Sequence, residues 1–197
     1  MTIVESIYNS IKGIIKLYTI TNSSGASVTL SSIGAGIIAI NVPDKDGVLN
    51  DVVLGYKNIT DYIYDGPCAG KTAGRYANRI ANGRLIVNNI EFALNTNCGP
   101  NSLHGGPEGF QNQNWESTIK DNKVHFTYLS KNMEENFPGN VTVSVIYEWK
   151  ENNTLTINLS ATTDADTVIN LTNHAYWNLN GHDSGDVLGH SLHIAAE

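Results

Sequence analysis

The chain has 197 residues, 41% hydrophobic and 16% charged, which suits one good-sized core and excludes an intrinsically disordered protein. Twelve Lys and Arg against nineteen Asp and Glu give a net charge of −7, with no basic cluster to grip a phosphate backbone, so nucleic acid is excluded as a partner. No apolar run is long enough to span a bilayer, and the start lacks a basic stretch ahead of an apolar one, so no membrane association and a cytoplasmic location are expected.

In chain order, Ile3, Ile7, Ile11, Ile14 and Ile15 recur at roughly helical spacing, a signal weakened by Gly13 and by β-branched neighbours. Lys16 to Ile20 and Ser27 to Ile33 fit strands better. Asp46-Gly47 reads as a hairpin turn, because Asp and Gly tolerate the positive φ that tight turns need. Arg84–Val87 and Ile90–Leu94, joined by Asn88-Asn89, form the clearest hairpin. Val124, Phe126 and Tyr128 alternate with polar residues. So do the odd positions from Val141 to Trp149, and, past an Asn152-Asn153 turn, Leu155, Ile157 and Leu159. Period-two alternation sets one face of a strand on a core and the other toward water. Many short strands separated by turn signals predict an all-β fold, an antiparallel sandwich or barrel, with residues 1–197 as a single domain or part of one.

Several fragments resemble motifs and lack what the chemistry needs. Gly34-Ala35-Gly36 has no third glycine and leads into another strand, so no dinucleotide site follows. Asp44-Lys45-Asp46-Gly47 turns too early for a calcium loop. Six Asn-x-Ser/Thr sequons fall in or beside predicted strands. His182, Asp183, Asp186, His190 and His193 match no zinc spacing and lie among Gly181, Gly185 and Gly189, which reads as a loop; no metal is expected. Cys68 and Cys98 are the only cysteines; two reduced, mostly buried thiols or one disulfide both fit.

Three polar segments remain: Gly74-Arg75-Tyr76-Ala77-Asn78-Arg79-Ile80, Pro100-Asn101-Ser102-Leu103-His104-Gly105-Gly106, and Asn170-Leu171-Thr172-Asn173-His174-Ala175-Tyr176-Trp177-Asn178-Leu179. Singly, each has a structural explanation: a packing histidine, a bracing arginine, a core aromatic pair. Together they hold what a polyol ligand requires. Asn78 and Arg79 offer an amide and a donor fork, and Tyr176 and Trp177 offer aromatic faces for sugar C–H groups. His104 and His174 add imidazole, the side-chain type suited to proton transfer near neutral pH.

From about Ile14 onward, these segments, together with Phe137-Pro138-Gly139-Asn140, resemble the aldose 1-epimerase (galactose mutarotase) family in wording and order. The resemblance implies a galactose mutarotase-like β-sandwich that interconverts the α and β anomers of a hexose such as galactose or glucose, with no cofactor. It implies that Asn78 and Arg79 bind sugar hydroxyls, that His104 sits near the ring oxygen and the C1 hydroxyl, that His174 is the general acid, and that Tyr176 lines the site. Arg75 is given a structural role, since the family's sugar contact matches Arg79. In the family the base is a glutamate on a late strand. Glu197 comes too early to match it, and Ser191–Glu197 reads as the start of a further strand. The sandwich is therefore expected to be incomplete at its C-terminus and inactive alone, with a complementing C-terminal portion as partner.

A non-catalytic sugar-binding or regulatory module that keeps Arg79, His104 and His174 for recognition is the other reading. An epimerase of sugar phosphates would want basic residues in the cleft beyond Arg75 and Arg79.

Overall fold

The computed structural model describes residues 1–196. The first sheet is antiparallel and runs in chain order: β1 (Thr2–Ser10), β2 (Gly13–Thr21), β3 (Ser27–Ser31), β4 (Gly36–Pro43) and β5 (Leu49–Asp51). Short ladders follow: β6 (Thr72–Ala73), β7 (Arg79–Ile80), the hairpin of β8 (Arg84–Val87) with β9 (Ile90–Ala93), and β10 (Ser102–Leu103). A second antiparallel sheet contains β11 (Glu116–Lys120), β12 (Lys123–Ser130), β13 (Val141–Trp149) and β14 (Leu155–Thr163), again in chain order. Finally β15 (Thr172–Asn173) pairs back to β6.

The two main sheets pack face to face. Tyr18, Ile20, Val28 and Leu30 of the first meet Val124, Phe126, Val143, Val145, Tyr147 and Trp149 of the second in one cluster, each 2% exposed or less. Fully burying side chains of this size is worth roughly 1.5–3 kcal/mol apiece. Polar tips inside the seam are satisfied across it: Tyr147 Oη donates to the Ala35 carbonyl (2.8 Å) and Trp149 Nε1 to the Ala26 carbonyl (3.2 Å). The antiparallel all-β sandwich expected from the sequence is thus the fold observed. The Asp46-Gly47, Asn88-Asn89 and Asn152-Asn153 turns all join paired strands.

Three expectations change. The isoleucines of residues 3–15 lie in a β-hairpin and not a helix: Thr2 to Ser10 pair in unbroken register with Thr21 to Gly13 around a turn at Ile11-Lys12. Gly13, at φ +87, admits the left-handed conformation at the turn's exit, and β-branched residues favour the pleated surface. Leu159 does not join the core; β14 is an edge strand, and Leu159 stays 36% exposed. Residues 191–196 form no ladder with any described strand, because a strand needs a neighbour's backbone groups to pair with. Cys68 and Cys98 are both free, the first buried and the second partly so.

Candidate functional site

Residues 70–80 form a ribbon that the other two segments flank. On one side β15 pairs with β6, Thr172 opposite Ala73 and Asn173 opposite Thr72. The ribbon then continues through Ala77 N–H to Asn170 C=O (2.8 Å) and Asn170 N–H to Arg75 C=O (3.0 Å). On the other side β10 pairs with β7, Leu103 opposite Arg79. His174 directly follows β15, and His104 directly follows β10. The two imidazoles, seventy positions apart in sequence, meet edge to face with ring centroids 5.0 Å apart.

Asn78, Arg79, His104 and His174 all line one open cleft of about 640 Å³, with Asn170, Thr172 and Asn173. Tyr176 stands beside it: its ring lies 5.0 Å from that of His174, and its Oη donates to the Pro67 carbonyl (3.0 Å). Its other side lines a neighbouring, more apolar pocket with Tyr56 and Pro67. Trp177 lies outside both linings and pairs through its backbone with Val53.

Local geometry fixes the first histidine. Asn78 and His104 both have left-handed backbones, at φ +67 and +54, a conformation uncommon for non-glycine residues and sustained here by their surroundings. His104 N–H donates to Asn78 C=O, and Asn78 N–H donates to His104 Nδ1, each at 3.0 Å. Because Nδ1 accepts, the neutral ring carries its proton on Nε2. Burial, then the nearby His174 and Arg79, hold the His104 pKa below the ordinary imidazole value. His104 is therefore built as a neutral Nε2–H donor. Gly105, next in the chain, packs on the Gly74–Arg75 peptide so closely that any Cβ would strike Gly74 O and Arg75 N.

The segment holding His174 is clasped from behind. His174 N–H donates to Lys71 C=O (2.8 Å), and Gly70 N–H donates to His174 C=O (3.1 Å). Asn173 Nδ2 donates to Gly70 C=O (2.7 Å) and to Tyr147 Oη (3.2 Å). Lys71 in turn is fully buried in an ion pair with Asp65, and its Nζ also donates to Tyr62 C=O (2.7 Å). Sequence reasoning missed Lys71, Asp65 and Asn173 as supports. Asn173 lies within the polar stretch Asn170–Leu179, but nothing local singles out Lys71 or Asp65. Arg79 is exposed, with its guanidinium donating to Asn78 Oδ1 (3.2 Å). Arg75 is buried and binds the Pro138 and Gly139 carbonyls and Ser130 Oγ at 2.7, 3.0 and 2.6 Å. It braces loops and stays out of the cleft lining.

Among the described residues, no group of three or more His, Cys, Asp or Glu is placed to hold a metal ion. His182 N–H instead donates to Asp51 C=O at the end of β5, and His190 Nε2 accepts from Leu179 N–H within the loop. Glu197 lies outside the described residues. No described helix is long and apolar enough to cross a membrane.

An antiparallel sandwich with an open polar cleft beside its seam is the class that fold and geometry define, and it has solved counterparts. A GalM/aldose epimerase homologue from C. elegans superposes with a TM-score of 0.80 at 34% identity, covering 90% of this chain and 52% of that one. A galactose 1-epimerase from Lactobacillus acidophilus superposes at 0.77 and 25% identity, covering 90% and 54%. The family model described as aldose 1-epimerase matches residues 16–197, and the chain belongs to that family. It is 40% identical over 175 residues to the galactose mutarotase of Rattus norvegicus, covering 89% of this chain and 51% of the relative. It is 37% identical over 183 residues to the aldose 1-epimerase of Escherichia coli K12, covering 92% and 53%. The chain thus spans about half the length of the curated relatives it matches.

Proposed function

We propose that this chain carries the sugar-binding and acid half of an aldose 1-epimerase site, acting on the anomers of a hexose such as galactose or glucose. The observation that carries the reading is the meeting of His104 and His174, 5.0 Å apart, in a cleft shared with Asn78 and Arg79. Ring opening needs two proton movements. A base takes the proton of the C1 hydroxyl; the C1–O bond to the ring oxygen breaks as an acid protonates that oxygen; rotation about C1–C2 and reclosure give the other anomer. In this reading His174 delivers the proton to the ring oxygen. His104, a fixed Nε2–H donor, hydrogen-bonds the sugar beside C1. Asn78 and Arg79 hold hydroxyls, and Tyr176 bounds the cleft. The chemistry calls for no cofactor, because the hemiacetal already holds a latent carbonyl.

The base is the missing member: among the described residues, no carboxylate lines the cleft. We propose that a complementing C-terminal portion supplies it, and that this chain alone has little or no activity. The same lack of a carboxylate favours a second reading, a sugar-binding or regulatory module that uses Arg79, His104 and His174 for recognition only. The two free thiols suit the reducing cytoplasm, where we place the protein. Optical rotation of fresh α-D-galactose or α-D-glucose tests the scheme, with the chain alone and with a form carrying the complementing portion. Activity is expected only in the second. Family-like rates from the chain alone would sink the assignment of the base, and sugar binding without turnover in both forms would favour the recognition module.

A further inference from the structure

β1, like β14 in the second sheet, is a long sheet edge without proline or lysine. It is the terminal strand of its sheet, nine residues long, with unbroken register against β2. Proteins commonly blunt such edges with short strands, bulges, lysine or proline. The opposite edge of the same sheet, β5, follows that practice at three residues. β1 instead exposes Val4 at 59%, Ile7 at 60% and Tyr8 at 44%. It also precedes the span matched by the family, which begins at residue 16.

We propose that β1 is a dimerisation edge, through which two copies of this chain pair antiparallel about a two-fold axis at Ser6 and join their first sheets into one. Backbone geometry selects this register. The Ile11-Lys12 turn makes Ser10 and Gly13 a hydrogen-bonded pair. Even-numbered residues of β1 therefore bond inward to β2, and Ile3, Glu5, Ile7 and Asn9 present their N–H and C=O groups outward. An axis at Ser6 sets Glu5 of one copy opposite Ile7 of the other and Ile3 opposite Asn9, so every outward residue meets an outward residue. On the alternate face Val4 meets Tyr8 twice, an aromatic to β-branched pairing that stabilises antiparallel ladders. Moving the axis to Glu5 would set two carboxylates opposite each other, and moving it to Ile7 would leave Ile3 without a partner. Such a contact is isologous and closes at two copies. Glu5 is the strand's only charge, and it is already paired with Lys16 of its own copy at 3.3 Å.

Light scattering on the purified protein at tens of micromolar tests this. Twice the monomer mass is expected. Ile7→Glu, at an exposed position, sets a second carboxylate opposite Glu5 and should halve the mass. Ile7→Lys, opposite the same Glu5, should leave the dimer intact. The double variant Glu5→Lys/Ile7→Glu should restore it. Circular dichroism keeps misfolding apart from dissociation. Ile7→Pro, which removes only an outward N–H, is the second variant if Ile7→Glu does not fold, and it too should halve the mass. A monomeric wild type, an assembly whose mass Ile7→Glu leaves unchanged, or equal dissolution by Ile7→Glu and Ile7→Lys would overturn the proposal.

Discussion

Asn78 and His104 lock one another: each backbone N–H finds its acceptor on the other residue, one on a carbonyl and one on Nδ1, both at 3.0 Å. Protonating Nδ1 would turn an acceptor into a donor facing a donor. Heteronuclear NMR of the imidazole should therefore show the Nε2–H tautomer for His104 at neutral pH. The pH dependence follows from the lowered pKa. The unfolded chain takes up this proton first, near the ordinary imidazole value, so His104 subtracts stability as pH falls below that value. The loss stops growing once the folded ring protonates. Melting temperatures from pH 8 to 5 should fall less steeply for His104→Gln than for the parent.

The two histidines should separate kinetically in a form of the protein that carries the complementing portion. His174→Ala should lower kcat by about 10²–10⁴-fold, the usual range for losing a general acid, and His174→Asn should be nearly as damaging because an amide cannot donate a proton. His104→Ala should cost less. Arg79→Lys should act mainly on KM, since a point charge replaces a planar fork. Steady-state polarimetry checks the order; a larger kcat loss for His104→Ala than for His174→Ala would exchange their roles.

Lys71 and Asp65 are buried together behind the His174 segment. Lys71→Met should destabilise the fold by about 3–5 kcal/mol, because it strands a buried carboxylate. Lys71→Met/Asp65→Asn should recover much of this, since the amide can still accept from Ala69 N–H as Asp65 Oδ2 does now at 2.6 Å. Urea denaturation of the single and double variants decides it.

Burial pushes the Cys68 thiol up to about 12, with Lys71 only partly opposing it. At pH 8 iodoacetamide should label Cys98 well before Cys68, since the thiolate is the reactive form. Peptide mass mapping over time reads out the order.

Much of this was legible in the sequence because the informative units are local. The alternation from Val141 to Trp149 reports burial directly, and every odd residue there is buried. Asn88-Asn89 supplies positive φ at both turn positions. The polar segments announce the cleft by residue type. The isoleucines of 3–15 misled because their spacing fits a helix face, while strand pairing depends on β2, a neighbour that periodicity does not see. Lys71 and Asp65 were silent for a related reason: the buried ion pair forms only when the segment between Tyr62 and Thr72 turns back on itself and is covered, and each residue alone looks like a solvated charge.

The cleft histidines are not mounted on the main sheets. Each follows a ladder two residues long, β10 on β7 and β15 on β6, whereas β13 shares nine register pairs with β14. Opening either ladder, with the loop bonds beside it, leaves the seam between the sheets intact. That wall of the cleft is therefore expected to open through sub-global fluctuations cheaper than unfolding. Amide exchange should find Leu103, His104 and Asn173 surrendering their protons long before Val143 and Val145. Sugar added to the cleft should slow the first group and leave the second untouched.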